Sequence, residues 1–383
     1  MTEAIEPTDE LILRELPAQG GLRIGHATLR AEKSLNSITI GMVRPLDRAL
    51  VRWAADPQIA CVVLDGAGEK GLSAGGDVRY VREKALLHRG PGPCPEAEAF
   101  FGEEYRLDHR IHTYVKPILV WGSGIVMGGG VGLLAGASHR VVTQTSRIAM
   151  PEMAIGLFPD VGGSWFLPRM PGRSGLFVAL TAALMNGSDA LHAGLADFLL
   201  RAEDRAALLE RLVAASFSGV AQADHDVLSS ILEAFAKAAV PVRPASKLAE
   251  LSEHIDRVTS GATLAEVRAA ITSYTGDDPW LQRCVRSLDS GSPTTAALIW
   301  ELFRRSPTLG LADVFRLDLV VALQCCAHPD FREGVRAVLV DKDANPRWTP
   351  ASPEAVTGSW VQGHFAPLWA EGHAGNPLSG LGR

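Results

Sequence analysis

PILVWGSGIVMGGGVGLLAGAS, residues 117–138, is the stretch that decides what kind of fold this chain can have. It contains no charged residue, and about 20 apolar residues in a row can span a bilayer. Seven of its 22 residues are glycine, however. Glycine inside a helix costs roughly 1 kcal/mol relative to alanine, so a continuous spanning helix is strongly penalised. The stretch reads instead as a buried strand over 118–121, a tight glycine-rich turn, and a short buried helix from about Met127.

The sequence before it fits that reading. Residues 22–29 alternate as a half-buried strand does, and 42–55 have helical apolar spacing with Pro57 just beyond. ACVVL, residues 60–64, is a short apolar run of the kind buried strands carry. Asp77 is placed to cap a helix running to about His88, and the Pro/Gly-rich patch 90–95 then breaks the chain. Residues 96–115 predict a long helix ending before Lys116 and Pro117. Strand, helix, strand, helix in this order argues for an α/β layer with crossover connections.

After about Leu200 the character changes. Residues 201–215, 226–239, 245–258, 263–271, 293–304 and 309–326 all carry helical spacing, and few strand candidates remain. The expected division is an α/β core over 1–200 and a mainly helical region over 201–383. The tail from Asn345, rich in Pro, Gly and Trp, is expected to be irregular. No internal repeat or low-complexity segment occurs.

Composition narrows the function. The chain has 383 residues, with 37 Lys and Arg against 43 Asp and Glu, a net charge of −6. A general nucleic-acid-binding surface is disfavoured. The five cysteines include no C-x-x-C pair, so neither a disulfide framework nor a zinc knuckle is supported. The acidic N-terminus lacks the basic start of a signal peptide and the arginine-rich look of a transit peptide. A cytoplasmic, reducing location is the expectation. The eleven histidines show no metal-ligand spacing, so no metal is expected. Neither a G-x-S-x-G elbow nor a phosphate-binding P-loop is present.

Four segments remain as carriers of chemistry. Ser73-Ala74-Gly75-Gly76-Asp77 and Met127-Gly128-Gly129-Gly130 each follow a buried strand. Such loops are either tight packing turns or places where two unpaired N–H groups converge on one oxygen, as an oxyanion hole requires. MPEMAIGLFPDVGG, residues 150–163, sets Glu152 and Asp160 in an otherwise uncharged run. Burying carboxylates is costly, and desolvation raises their pKa towards the range useful in acid–base work. The structural alternative makes Glu152 a cap or ion-pair partner and Asp160 the N-cap of a helix over 162–167. FFGEEY, residues 100–105, reads by composition as a packing face beside a solvated face. Cys325 and Cys326 read as core, and Arg79, Arg82 and Lys84 as a solvated or phosphate-holding face.

Taken in order, SAGGD (73–77), FFGEEY (100–105), MGGGVGL (127–133) and MPEMAIGLFPDVGGSWFLPR (150–169) resemble the crotonase, or enoyl-coenzyme A hydratase/isomerase, superfamily. Within it they are most similar to the branch that hydrolyses 3-hydroxyisobutyryl-coenzyme A in valine breakdown, as is HPDFREGVRAVLVDKDANPRW (328–348). The resemblance spans about residues 21–368. It implies a spiral of ββα turns with a helical C-terminal region. It also implies an acyl-coenzyme A thioester partner, with coenzyme A entering as part of the substrate and no separate cofactor. Homo-oligomers are common in the family. By motif position, the N–H groups of Gly76 and Gly129 would hold the thioester oxygen. Glu152 and Asp160 would be the catalytic pair, and Glu104 would contact substrate. Typical hydratases carry a second catalytic glutamate where this chain has Gly132, so the resemblance favours hydrolysis. Hydration or isomerisation, and non-catalytic coenzyme A binding, are the other readings.

Overall fold

ACVVL becomes the middle of a strand whose eight residues, Ile59–Gly66, are all buried. Continuous burial is what a parallel strand covered on both faces requires. The computed structural model describes residues 8–369 and 375–382. Nine strands are described: β1 Leu11–Pro17, β2 Arg23–Leu29, β3 Ile59–Gly66, β4 Gly71–Ser73, β5 Ile118–Gly122, β6 Ile125–Met127, β7 His139–Thr143, β8 Arg147–Ala149 and β9 Phe198–Leu200. Six of them form one sheet in the order β1-β2-β3-β5-β7-β9. Only β1 and β2 pair antiparallel; the other neighbours are parallel. The short strands form a second sheet, β4-β6-β8.

Parallel neighbours need crossovers, and helices supply them. Helix α1, Ile40–Ala55, links β2 to β3 and buries Met42, Leu46, Leu50 and Trp53 along one face. Helix Ala221–Ala239 lays Leu228, Ile231 and Leu232 into a core shared with Cys61, Val63, Leu119 and Val141 of the large sheet. Helix α2, Val78–Leu87, starts where expected: the Asp77 carboxylate accepts the Tyr80 N–H at 3.2 Å. Helix α3 runs Pro95–His112, three residues short of the expected end.

The decisive stretch differs from its reading in one respect. Met127 does not open a helix. Residues 125–127 form β6, and helix α4 begins at Gly129 and ends at Ala135. Pairing decided this: β6 lies parallel to β4, with Gly71 opposite Ile125 and Ser73 opposite Val126. Among the described residues no helix is long and apolar enough to cross a membrane.

After Leu200 the described residues hold helices and no strand. The tail is irregular around residue 345, then forms a single turn at Pro353–Ala355 and the helix Gly358–Gly363. The opening MTEAIEP, on which the reading of the N-terminus partly rests, lies outside the described residues.

The described chain divides into two compact units that interleave in sequence. One comprises residues 8–76, 110–148 and 185–249 and holds the six-stranded sheet. The other comprises residues 77–109, 149–184 and the described residues from 250 onward, and is mainly helical.

Close packing between α4 and β4 leaves no room for a side chain. A Cβ at Gly130 would lie 2.8 Å from the Ser73 carbonyl oxygen and 3.1 Å from Ser73 Cβ. Gly130→Ala is therefore expected to lower the unfolding free energy by about 1–3 kcal/mol in a urea titration. Gly358→Ala, where an added Cβ meets nothing within 4 Å, should change it little.

Candidate active site

Two glycine loops leave the same end of the small sheet because β4 and β6 are parallel and paired. The first is pinned at its base. Ser73 Oγ accepts the Gly75 N–H at 3.1 Å, and the Gly75 carbonyl accepts the Ile38 N–H at 2.8 Å. Gly75 has φ +105°, and a Cβ there would lie 3.2 Å from the Met127 carbonyl oxygen and 3.6 Å from the Gly129 nitrogen. The 74–76 backbone thus runs directly against the 127–129 backbone. Helix α4 opens at Gly129, and first-turn N–H groups have no acceptor within their own helix. The two candidate donors, Gly76 and Gly129, belong to these touching loops.

The three candidate carboxylates lie in the other unit, where they are buried together with two more. Glu104, Glu152 and Asp160 are 3%, 4% and 5% exposed, and Asp108 and Asp318 are fully buried. Glu104 and Asp108 sit on α3 one turn apart, so they share a helix face. Glu152 opens a single 3-10 turn, Glu152–Ile155, closed by Gly156 with φ +67°. Asp160 begins a tight turn in which Val161 and Gly162 both have positive φ, +49° and +84°. Asp318 comes from the helix Leu311–Ala327.

Two sequence readings are corrected here. Asp160 is not a helix N-cap: the short helix is Gly163–Phe166, capped by Gly162 without a side-chain bond. The Asp160 carboxylate instead accepts the Tyr105 hydroxyl at 2.6 Å. Nor does FFGEEY place its acids on a solvated face. Phe100, Phe101, Glu104 and Tyr105 all point inward, and only Glu103 is partly exposed. Cys325 and Cys326 are buried, as expected of core, with burial pushing both thiols upward. Arg82 donates to the Arg332 carbonyl at 2.7 Å, a structural contact.

Burial dominates the charge state of the cluster. It holds Glu152 and Glu104 well above the ordinary glutamate range, with the Asp160 charge adding to the effect. Asp108 is raised by burial and then by Glu104 and Asp160. Asp318 is raised by burial; both its carboxylate oxygens, like Ser164 Oγ, are buried with no hydrogen-bond partner among the described residues. Asp160 is also raised by burial, to about 6, but the Tyr105 hydroxyl and its own backbone N–H pull the other way. It is therefore the member of the cluster that ionises first. Glu104 Oε1, Glu152 Oε2 and both Asp108 oxygens are buried with no hydrogen-bond partner among the described residues. Buried, unpartnered carboxyl groups whose proton affinity is raised in this way can exchange a proton with a ligand or with Asp160. Among the described residues no three His, Cys, Asp or Glu side chains group so as to hold a metal ion.

The sequence reading missed Tyr105, Asp108 and Asp318 as members of this cluster. Asp108 had a signal, the four-residue spacing from Glu104. Asp318 had the signal that singled out Asp160, an acid inside an apolar run. Tyr105 had none, since its role depends on a residue 55 positions away.

A family model described as enoyl-CoA hydratase/isomerase matches residues 24–365. The mitochondrial 3-hydroxyisobutyryl-CoA hydrolase of Xenopus tropicalis is 35% identical over 345 residues, covering 90% of this chain and 86% of that one. The human protein of the same name is 33% identical over 369 residues, covering 96% and 91%. Among solved structures, a carnitinyl-CoA dehydratase from Mycobacterium thermoresistibile superposes with a TM-score of 0.82 at 36% identity, covering 96% of this chain and all of that one. An enoyl-CoA hydratase from Rhodobacter sphaeroides gives 0.79 at 34% identity, covering 94% and 98%. The cytoplasmic expectation is overturned by these relatives. The similar hydrolases from frog, chicken, zebrafish and mammals are named as mitochondrial.

The raised pKa of Asp160 has a stability consequence. Its folded value of about 6 exceeds the ordinary 3.8, so folding favours the proton. That contribution is complete below about pH 4 and is lost as the pH rises through 6. Asp160→Asn carries no such loss. Its urea midpoint is expected to rise relative to wild type from pH 4 to about 7 and then to hold a constant lead.

Proposed function

Because the chain belongs to the enoyl-CoA hydratase/isomerase family, the crotonases, whose ground is acyl-CoA thioester chemistry, we propose that it hydrolyses 3-hydroxyisobutyryl-CoA to 3-hydroxyisobutyrate and coenzyme A. The observation that carries this reading is the buried Glu152–Asp160 pair, retained while Gly132 stands where a hydratase needs its second acid. Gly132 has no side chain, so it offers no second acid for adding water across a double bond. The similarity to hydrolases bearing that substrate's name, over 90% or more of this chain, supports the same choice.

The proposed roles follow from the charge states. The Gly76 and Gly129 N–H groups stabilise the oxygen that becomes negative as the thioester carbonyl turns tetrahedral. Asp160 is the resident base, and the proton of Glu152 passes to it against their resting order once bound substrate lowers the Glu152 proton affinity. Glu152 then attacks the carbonyl carbon as a carboxylate, or draws a proton from a water that attacks. Collapse of the tetrahedral species breaks the C–S bond, and the leaving thiolate takes the proton held by Asp160. In the first route a mixed anhydride forms, which water opens with Asp160 again as base. Glu104, buried on α3, is proposed to contact the acyl group, and Asp160 to orient its 3-hydroxyl.

A second reading, hydration or isomerisation of an enoyl-CoA with Glu152 as the sole acid–base group, is favoured by the names of the two solved structures above. One assay separates the two: free-thiol release from (S)-3-hydroxyisobutyryl-CoA, run beside crotonyl-CoA with mass analysis of the products. Thiol release is expected from the first substrate. It should fall by about 10²–10⁴-fold in Glu152→Gln and heavily in Asp160→Asn. Water addition to crotonyl-CoA without thiol release would move the protein to the hydratases. Near wild-type release by Glu152→Gln would remove Glu152 from the mechanism.

A further inference from the structure

Tyr105 has no part in the roles above, yet it touches the group on which they turn. It is fully buried on α3, and its ring is wedged between Phe101 at 5.8 Å and Phe315 at 6.0 Å between centroids. Its hydroxyl donates to Asp160 Oδ2 at 2.6 Å. A hydrogen bond this short to a carboxylate is of the charge-assisted kind. Among the described residues, the cluster groups that feel the Asp160 charge are acids and thiols, none of them cationic. They are Glu104 and Asp108 from α3, Glu152 from the 3-10 turn, and Asp318, Cys325 and Cys326 from the helix Leu311–Ala327. His109, also on α3, packs edge-on against Phe315. Glu104, Asp108 and Glu152 each keep a buried oxygen without a partner, so the rigidly held donor serves Asp160 and leaves theirs unmet.

We propose that Tyr105 is a positioning residue that selects Asp160 as the charged member of the acid cluster, by giving its Oδ2 a fixed donor that the unpartnered oxygens of the neighbouring acids lack. Its consequence for turnover rests on the hydrolase reading; its effect on which acid ionises does not. The bond also fixes the carboxylate plane, because a buried ring between two aromatic side chains cannot swing its hydroxyl elsewhere. A purely structural Tyr105 would supply packing alone, and phenylalanine would replace it without altering any titration.

The test uses the full chain with Tyr105→Phe, which keeps the ring and removes only the donor. Infrared difference spectra would follow the Asp160 carboxylate band, identified by its loss in Asp160→Asn. In Tyr105→Phe the midpoint of that band should move up by roughly one to two pH units. The acid limb of kcat/KM for thiol release should move with it, giving about a tenfold or greater loss at pH 6 and substantial recovery at pH 9. Incorporating 3,5-difluorotyrosine at position 105 strengthens the donor and should move both midpoints the opposite way. An Asp160 band that titrates unchanged in both variants overturns the proposal. Should the wild-type protein release no thiol, the hydrolase reading fails, while the infrared titration still decides the role of Tyr105.

Discussion

Backbone lies against backbone where β4 and β6 meet, and much of the sheet-bearing unit follows from that constraint. Two parallel strands deliver their following loops to one end, and the loops touch only if nothing intervenes between them. At Gly130 the space a Cβ would need is already taken by the Ser73 carbonyl, and at Gly75 φ is +105° with the Met127 carbonyl close by. The glycine-rich sequence that looks wasteful for a helix is thus what the packing demands. The same closeness sets the start of α4 at Gly129, two residues later than hydrophobicity alone suggests. It also brings Gly76 and Gly129 into adjoining loops.

The helical unit answers a different problem, that of keeping acids in a dry interior. Five carboxyl groups are buried there, and one of them, Asp160, accepts a tyrosine hydroxyl. In this setting burial holds four of them well above the ordinary carboxylate range, and raises Asp160 to about 6. Such an arrangement opposes stability, since each ionisation adds like charge to a region that cannot screen it. A chain selected only to fold would replace these acids with apolar residues. Their retention fits a site that must move protons, and it explains why the expected effects of neutral substitutions are opposite in sign for stability and for turnover.

Much of this was legible in the sequence. Strands β2 and β3, helices α1 and α2 with the Asp77 cap, and the helical second half follow from periodicity and capping chemistry, which are local. The pairing order of the six-stranded sheet is not local. Strands β4, β6, β8 and β9 are each three residues long, too short for any period to register. The candidate acids were legible as charges in apolar runs. Their company was less so: FFGEEY sets a partly exposed acid beside a buried one, and composition cannot say which of Glu103 and Glu104 faces inward.

By itself, the sequence determined the α/β core with its helical extension, the glycine loops at strand ends, and the acids that had to be either paired or functional. It did so because hydrophobic spacing, glycine content and the cost of buried charge are properties of short segments. Tertiary structure alone decided that Met127 is strand rather than helix and that Asp160 accepts from Tyr105 rather than capping a helix. It alone decided that Asp318 joins the cluster from a helix more than 150 residues away. Those outcomes depend on which distant groups share a low-dielectric space. Chain topology settles that, and no single segment carries the information.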